Sequence, residues 1–255
     1  MSLYDQIGNN YSRTRRTDPR IQTAISKALS GCKLVLNVGA GTGSYEPKDR
    51  QVVSLDPSFV MLEQRQDRSN VIRGIAELLP FSNQSFDAAM GVLTVDHWTD
   101  KSLGLKEMQR VVRNKVVIFT WDKSRISESW LLCDYFPSGE ELVLKRSVPF
   151  ETYAKALEGP VEIIPVPIPA ECADGFDGAY WRRPADVLEP TVWQNMSTLR
   201  LIPDEERTKG LHRLALELGN GAWKQKYGHL LSLSERDMGY RLVVWRRNKP
   251  YPNAN

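Results

Sequence analysis

Residues 34–43, LVLNVGAGTG, place the strongest constraint on how this chain folds. An apolar run that breaks into glycines at alternate positions, Gly39, Gly41 and Gly43, reads as a strand entering a tight turn. Turns of this kind use positive φ values and press bare backbone against a ligand, and a Cβ obstructs both. A nucleotide-like ligand is therefore expected beyond the end of the first strand. Dinucleotide, methyl-donor and phosphate sites all use glycine-rich turns, so the choice among them rests on the residues after the turn.

Two features argue against a dinucleotide. The fingerprint for one needs a third glycine three positions after the second, opening a helix that holds the pyrophosphate. That position is Ser44, and Tyr45, Glu46 and Pro47 after it make a poor helix entry. Only about a dozen residues separate the first strand from the second, room for a loop or one to two helical turns. The second strand, residues 52–56, still ends in Asp56, whose carboxylate can accept from both hydroxyls of a ribose. A ribose without a pyrophosphate points to S-adenosylmethionine.

At this point the chain resembles the class I S-adenosylmethionine-dependent methyltransferases, in particular their small-molecule (type 11-like) group. Four landmarks carry the resemblance in order: VGAGTG at 38–43, LDPSFVML at 55–62, GIAELLPFSNQSFDAAMGVL at 74–93 and LKEMQRVVRNKVVIF at 105–119. It spans roughly residues 1–121, with a weaker echo at the last strand. The fold it implies is an α/β, doubly wound, Rossmann-like sheet of seven strands with the last antiparallel, plus an inserted helical lid.

The residues themselves read compatibly. A helix is expected near 18–30, with Asp18 as cap and Pro19 at its first position. Strands follow at 33–38, 51–55, 71–73, 86–93 and 115–121, with helices at about 57–66 and 100–112. The family's remaining strands fall at 161–166 and 240–247. Residues 122–160 read as two or three short helices, and 167–236 as a long insertion with helices near 204–218. The proline run at 165–170 marks the exit of an edge strand. The chain is thus divided into a donor-binding core at 1–121, lid and substrate-binding insertions at 122–236 that include core strand 161–166, and a final strand with its tail at 237–255.

The insertions carry Trp130, Tyr135, Phe136, Phe150, Tyr153, Phe176, Tyr180, Trp181, Trp193 and Trp223. Ligands in open α/β sheets lie beyond the carboxyl ends of the strands. If the insertions cover that edge, these aromatics line a pocket for an organic acceptor; otherwise they are the insertion's own core.

The resemblance implies a donor site residue by residue. The backbone of Gly39, Ala40 and Gly41 faces the methionine part and Asp56 the ribose. Pro57 and Met61 pack near the adenine, and the backbone of Ala76 meets its ring nitrogens. Leu93 and Thr94 flank the sulfonium, and Tyr11 and Arg16 close over the amino-acid end. Glu77 is either an adenine contact or a helix-entry residue. Two positions depart from the family. Asn37 stands where Asp or Glu is common, removing a charge that helps hold the methionine ammonium while leaving an amide oxygen able to accept. Ile75 stands where many relatives carry an Asp for the adenine amino group.

For chemistry, His97 is the candidate general base, with Asp96 beside it to orient the ring or serve instead. A structural His before the following helix is the alternative. His212 and His229 read as structural, and Cys32, Cys133 and Cys172 as ordinary thiols too widely spaced for a disulfide framework or metal motif. No metal is expected.

Charge and length bound the rest. A balance of +3 from 34 basic and 31 acidic residues is too small to imply a nucleic-acid partner by itself, and with the aromatic lid none is expected; 255 residues can bury a large core. The polar N-terminus and the lack of long apolar runs suggest a cytoplasmic protein with no membrane partner. The expected activity is methyl transfer to a small organic, secondary-metabolite-like acceptor, with S-adenosylhomocysteine as product. The alternatives are an RNA or protein methyltransferase and a noncatalytic scaffold. Oligomeric state is not legible.

Overall fold

A computed structural model describes Asp5 and residues 15–247. The first helix, α1 (Pro19–Ala28), starts where the sequence expects it: Asp18 accepts from the Arg20 N–H at 2.9 Å, and Pro19 supplies a fixed φ at the first position. Strands β1 (Leu34–Val38), β2 (Gln51–Asp56), β3 (Val71–Arg73), β4 (Phe86–Val92) and β5 (Val112–Trp121) run parallel. Helix α2 (Phe59–Glu63) follows β2, and α3 (Lys101–Val111) joins β4 to β5. Beyond β5 lie α4 (Trp130–Tyr135), α5 (Pro137–Arg146), α6 (Phe150–Ala156) and β6 (Val161–Pro165).

Further α-helices and strands are β7 (Ile168–Pro169), α7 (Pro190–Trp193), α8 (Ser197–Leu201), α9 (Asp204–Gly219), α10 (Ala222–Tyr227), β8 (Glu235–Arg236) and β9 (Tyr240–Arg246), with short 3-10 turns between elements, among them Val95–His97. The main sheet has the order β3-β2-β1-β4-β5-β9-β6, with β9 antiparallel to both neighbours. This is the seven-stranded, doubly wound arrangement expected, and β6 leaves its edge at Pro165. The two-stranded β7–β8 ribbon was not foreseen.

Period-two alternation sorts the strands onto two faces. Val35, Ala88, Met90, Val117, Phe119, Leu242 and Val244 pack with α1 and with the insertion. Leu36, Ala89, Val116, Ile118, Val243 and Trp245 pack with α3 and α6 on the other side. The insertion's aromatics mostly belong to the first of these cores. Trp130 meets Trp223 and Tyr135 edge-on, at centroid distances of 5.4 and 5.9 Å. Apart from Phe176, the insertion aromatics singled out in the sequence do not line the chamber that adjoins the ligand cleft. Their physical role is packing, because many short helices can be held only by large side chains between them.

Helix α2 is shorter than the 57–66 read from the sequence. Ser58 caps it, its Oγ accepting from the Met61 N–H at 3.2 Å. It ends before Arg65, which turns back to donate to Gly41 O at 3.2 Å and to Glu46 at 2.6 Å. Among the described residues, no helix is long and apolar enough to cross a membrane.

Candidate functional site

Strand order reverses between β1 and β4, and the loops leaving β1, β2, β3 and β4 meet there around a cleft of about 880 Å³. Gly39, Ala40, Gly41, Asp56, Pro57, Met61, Ala76, Glu77, Leu93, Thr94 and His97 all line it. Arg16 does not: it is exposed and makes no hydrogen bond or ion pair among the described residues. Its neighbour Arg15 stands in the cleft instead, paired with Asp174 at 2.7 Å. Tyr11 lies outside the described residues.

The glycine turn is forced by close contact. Gly39 has φ +70°, and a Cβ there would lie 1.9 Å from Thr94 Oγ1. Four of the turn's N–H groups are spent inside the protein. Those of Gly39 and Ala40 donate to Leu55 O at 2.8 and 3.0 Å, that of Gly43 to Ala40 O at 2.9 Å, and that of Gly41 to Asp56 at 2.8 Å. A phosphate needs such donors, so these four offer a pyrophosphate no cradle.

Where β1 and β2 end, the cleft offers acceptors. Asn37 is buried, and its Nδ2 donates to Glu46 Oε1 at 2.9 Å. That bond fixes the amide's orientation and leaves Oδ1, on the cleft wall, buried without a partner among the described residues. Glu46 also accepts from Ser54 Oγ at 2.7 Å and from Arg65 at 2.6 Å. The negative charge missing at Asn37 thus stands just behind it. Sequence reading missed Glu46, which reaches the end of β1 through a turn in which Tyr45 takes φ 65°.

Asp56 accepts from the N–H groups of Gly41 and Ser58, each at 2.8 Å, and burial pushes its carboxyl above the ordinary carboxylate range against those two bonds. Its carboxylate retains lone pairs for a diol. Glu77 lines the cleft, but its Oε1 already accepts from the N–H groups of Thr99 and Asp100 at 2.8 and 3.1 Å, the helix-entry role. Ile75 is half exposed on the rim. An acceptor-lined cleft with an orphaned amide oxygen fits the ammonium, ribose and sulfonium of S-adenosylmethionine.

After β4, Leu93 takes φ 48°, a conformation costly for a bulky residue. It sends Thr94 to His97 across the cleft floor, where Trp98 Nε1 donates to Thr94 Oγ1 at 3.2 Å. His97 Nε2 lies 3.5 Å from Asp96 Oδ2. His212 and His229 are exposed and line neither cavity.

A second chamber of about 130 Å³ adjoins the cleft and shares Arg15, Leu93, Asp96, His97 and Arg146 with it. Leu132, Leu142, Val143, Val148, Phe176, Met238 and Tyr240 form its apolar wall. Asp177 is its half-buried acid, bonded by Thr198 Oγ1, and desolvation pushes its carboxyl upward. Neither Arg146 nor Asp177 carries a local sequence signal.

Comparison with known proteins agrees with this geometry. The methyltransferase domain family model matches residues 36–120. The crystal structure of a "putative methyltransferase from antibiotic biosynthesis pathway" of Anabaena variabilis superposes with a TM-score of 0.84 at 33% identity, over 90% of this chain and 98% of that one. A 2-methyl-6-phytyl-1,4-hydroquinone methyltransferase of Oryza sativa subsp. japonica is 28% identical over 43% of this chain and 36% of its own length. A tRNA (carboxymethyluridine(34)-5-O)-methyltransferase of Xenopus tropicalis is 27% identical over 47% of this chain and 20% of its own. The matched stretch is about half the length of the curated relatives or less. Sheet order, cleft and the near full-length likeness lead to one assignment: the chain belongs to the class I S-adenosylmethionine-dependent methyltransferases.

Proposed function

We propose that this protein transfers a methyl group to a small organic acceptor held in the chamber beside the donor cleft. The observation that carries the reading is the meeting of the two cavities at Leu93, Asp96 and His97. Asp56 is the residue suited to the ribose hydroxyls, and Asn37 Oδ1 to the methionine ammonium. Pro57, Met61 and Ala76 form the adenine side, and Arg15 stands near the amino-acid end. When bound, S-adenosylmethionine supplies an electrophilic methyl group and leaves as S-adenosylhomocysteine.

The chain's own residues do the rest. The apolar wall orients the acceptor and keeps water from the line of transfer. The His97 imidazole takes the proton that an acceptor hydroxyl or amine loses as it is methylated, and Asp96 stabilises the resulting imidazolium. The insertion serves as the cover. The chamber is walled by α4, α5 and residues 176–198, an arrangement suited to a compact molecule rather than to a base carried on a polymer.

The test is calorimetric titration with S-adenosylhomocysteine, NAD and ATP, followed by methyl-transfer assays on small phenols, amines and acids alongside bulk tRNA. Micromolar binding of S-adenosylhomocysteine alone, and transfer to a small molecule, are expected. Absence of that binding refutes the donor site, and transfer to tRNA alone refutes the acceptor class.

A further inference from the structure

The chamber holds a cation that the fold does not use. Arg146, the last residue of α5, lines both cavities and is only partly exposed, yet it has no hydrogen bond, ion pair or ring contact among the described residues. Most other arginines here are engaged: Arg15 with Asp174, Arg65 with Glu46, Arg110 with Glu107. Next in the chain, the Ser147 hydroxyl is buried at the chamber wall, without a partner among the described residues. A guanidinium without a protein partner and a buried hydroxyl without one, both on the wall of one chamber, mark a place where a ligand brings the missing acceptors.

Resting on the function proposed above, we infer that the acceptor is a compact carboxylic acid whose carboxylate is held by Arg146 and Ser147. The two arginines at the junction face different ends of the site. Arg15 is tied through Asp174 to the Tyr45 hydroxyl, at 2.7 and 2.9 Å, and so belongs to the glycine turn and the methionine end. Arg146 lies two residues before Val148, which packs in the same core as Val95 and Trp98, and so belongs to the His97 side. A carboxylate at Arg146 leaves the acceptor's body on the apolar wall and its reactive group toward Leu93 and His97.

The charge is a single one. Asp96 and Asp177 line the same chamber, so a dianion such as a phosphate monoester meets two carboxylates. A planar monoanion matched by one guanidinium fork does not carry that excess charge.

The experiment is titration of benzoate and 3-phenylpropionate, of their primary amides, and of phenyl phosphate, into the full chain with and without S-adenosylhomocysteine. The parent should bind each acid at least ten-fold more tightly than its amide, with phenyl phosphate no tighter than the amides. Arg146→Gln should abolish the preference, while its affinity for S-adenosylhomocysteine stays within three-fold and its melting temperature is unchanged. Equal binding of acids and amides by the parent overturns the inference, as does binding of neither series at millimolar concentration. A ten-fold or larger loss of S-adenosylhomocysteine affinity in Arg146→Gln also overturns it, since the guanidinium then serves the donor. Acid preference in a protein that does not bind S-adenosylhomocysteine leaves the anion site standing and removes the methyl-transfer reading instead.

Discussion

Replacing Asn37 with Asp restores the residue type common in the family, and its consequence follows from what lies behind that side chain. The amide Nδ2 donates to Glu46 Oε1 at 2.9 Å, and in the variant an acceptor oxygen faces that acceptor oxygen instead. Two ionised carboxylates about 3 Å apart repel by about 5 kcal/mol at an effective dielectric of about 20. Holding one proton at pH 7 on a carboxyl that ionises near 4 costs about 4 kcal/mol, so the pair keeps a proton. That proton donates where the amide N–H did.

The destabilisation is then the cost of the proton, at most about 4 kcal/mol at pH 7 and about 1.4 kcal/mol at pH 5, with Arg65 beside Glu46 reducing both. Its sign is fixed: the folded variant binds one more proton than the unfolded chain, so relative stability falls as pH rises. Urea unfolding of parent and variant from pH 5 to 7.5, followed by tryptophan fluorescence, should give a difference that grows by about 1.4 kcal/mol per pH unit. The double variant Asn37→Asp, Glu46→Gln should lose that slope. Parallel stability curves for parent and single variant would refute the reasoning.

Other outcomes follow from the same geometry. Asp56→Asn keeps the shape but offers one acceptor oxygen to the Gly41 and Ser58 N–H groups and to any ribose, and should weaken S-adenosylhomocysteine binding by about 100-fold in calorimetry, the loss of one or two charge-assisted bonds. Affinity within three-fold of the parent contradicts that placement. Gly39→Ala sets a Cβ against Thr94 Oγ1 at φ +70° and should destabilise the fold by at least about 2 kcal/mol; an unchanged melting curve tells against a rigid turn. His97→Gln should lower kcat on the acceptor by about 100-fold or more without moving S-adenosylhomocysteine affinity. Full turnover in that variant assigns the imidazole a structural role.

Much of this was legible in the sequence because it depends on backbone. Gly39, Asp56 and Leu93 sit at strand ends, and strands announce themselves by apolar runs whose order fixes where their ends meet. The choice between Arg15 and Arg16 was not legible, since adjacent residues share every local signal and only the Asp174 partner, more than 150 residues on, separates them. Glu46 was hidden because its role needs the Tyr45 turn and donors that lie 8, 9 and 19 residues away. The aromatics misled through composition, because a ring in a pocket wall and a ring in a small core look alike until packing is seen.

The split between what could and could not be read has a physical cause with a functional consequence. Donor-side residues come from loops close in sequence, and their hydrogen bonds interlock: Gly41 with Asp56, Arg65 with Gly41 and Glu46, Asn37 with Glu46. A change at one disturbs the others, so this half tolerates little variation. Most chamber-lining residues come from segments between 120 and 240, and among the described residues the side chains of Arg146 and Ser147 carry no hydrogen bonds that a substitution would break. Changing them alters what is bound without unsettling what holds the donor. The acceptor half can therefore be rebuilt for a different substrate on an unchanged donor half, and affinity for S-adenosylhomocysteine should be insensitive to substitutions in the chamber that abolish acceptor binding.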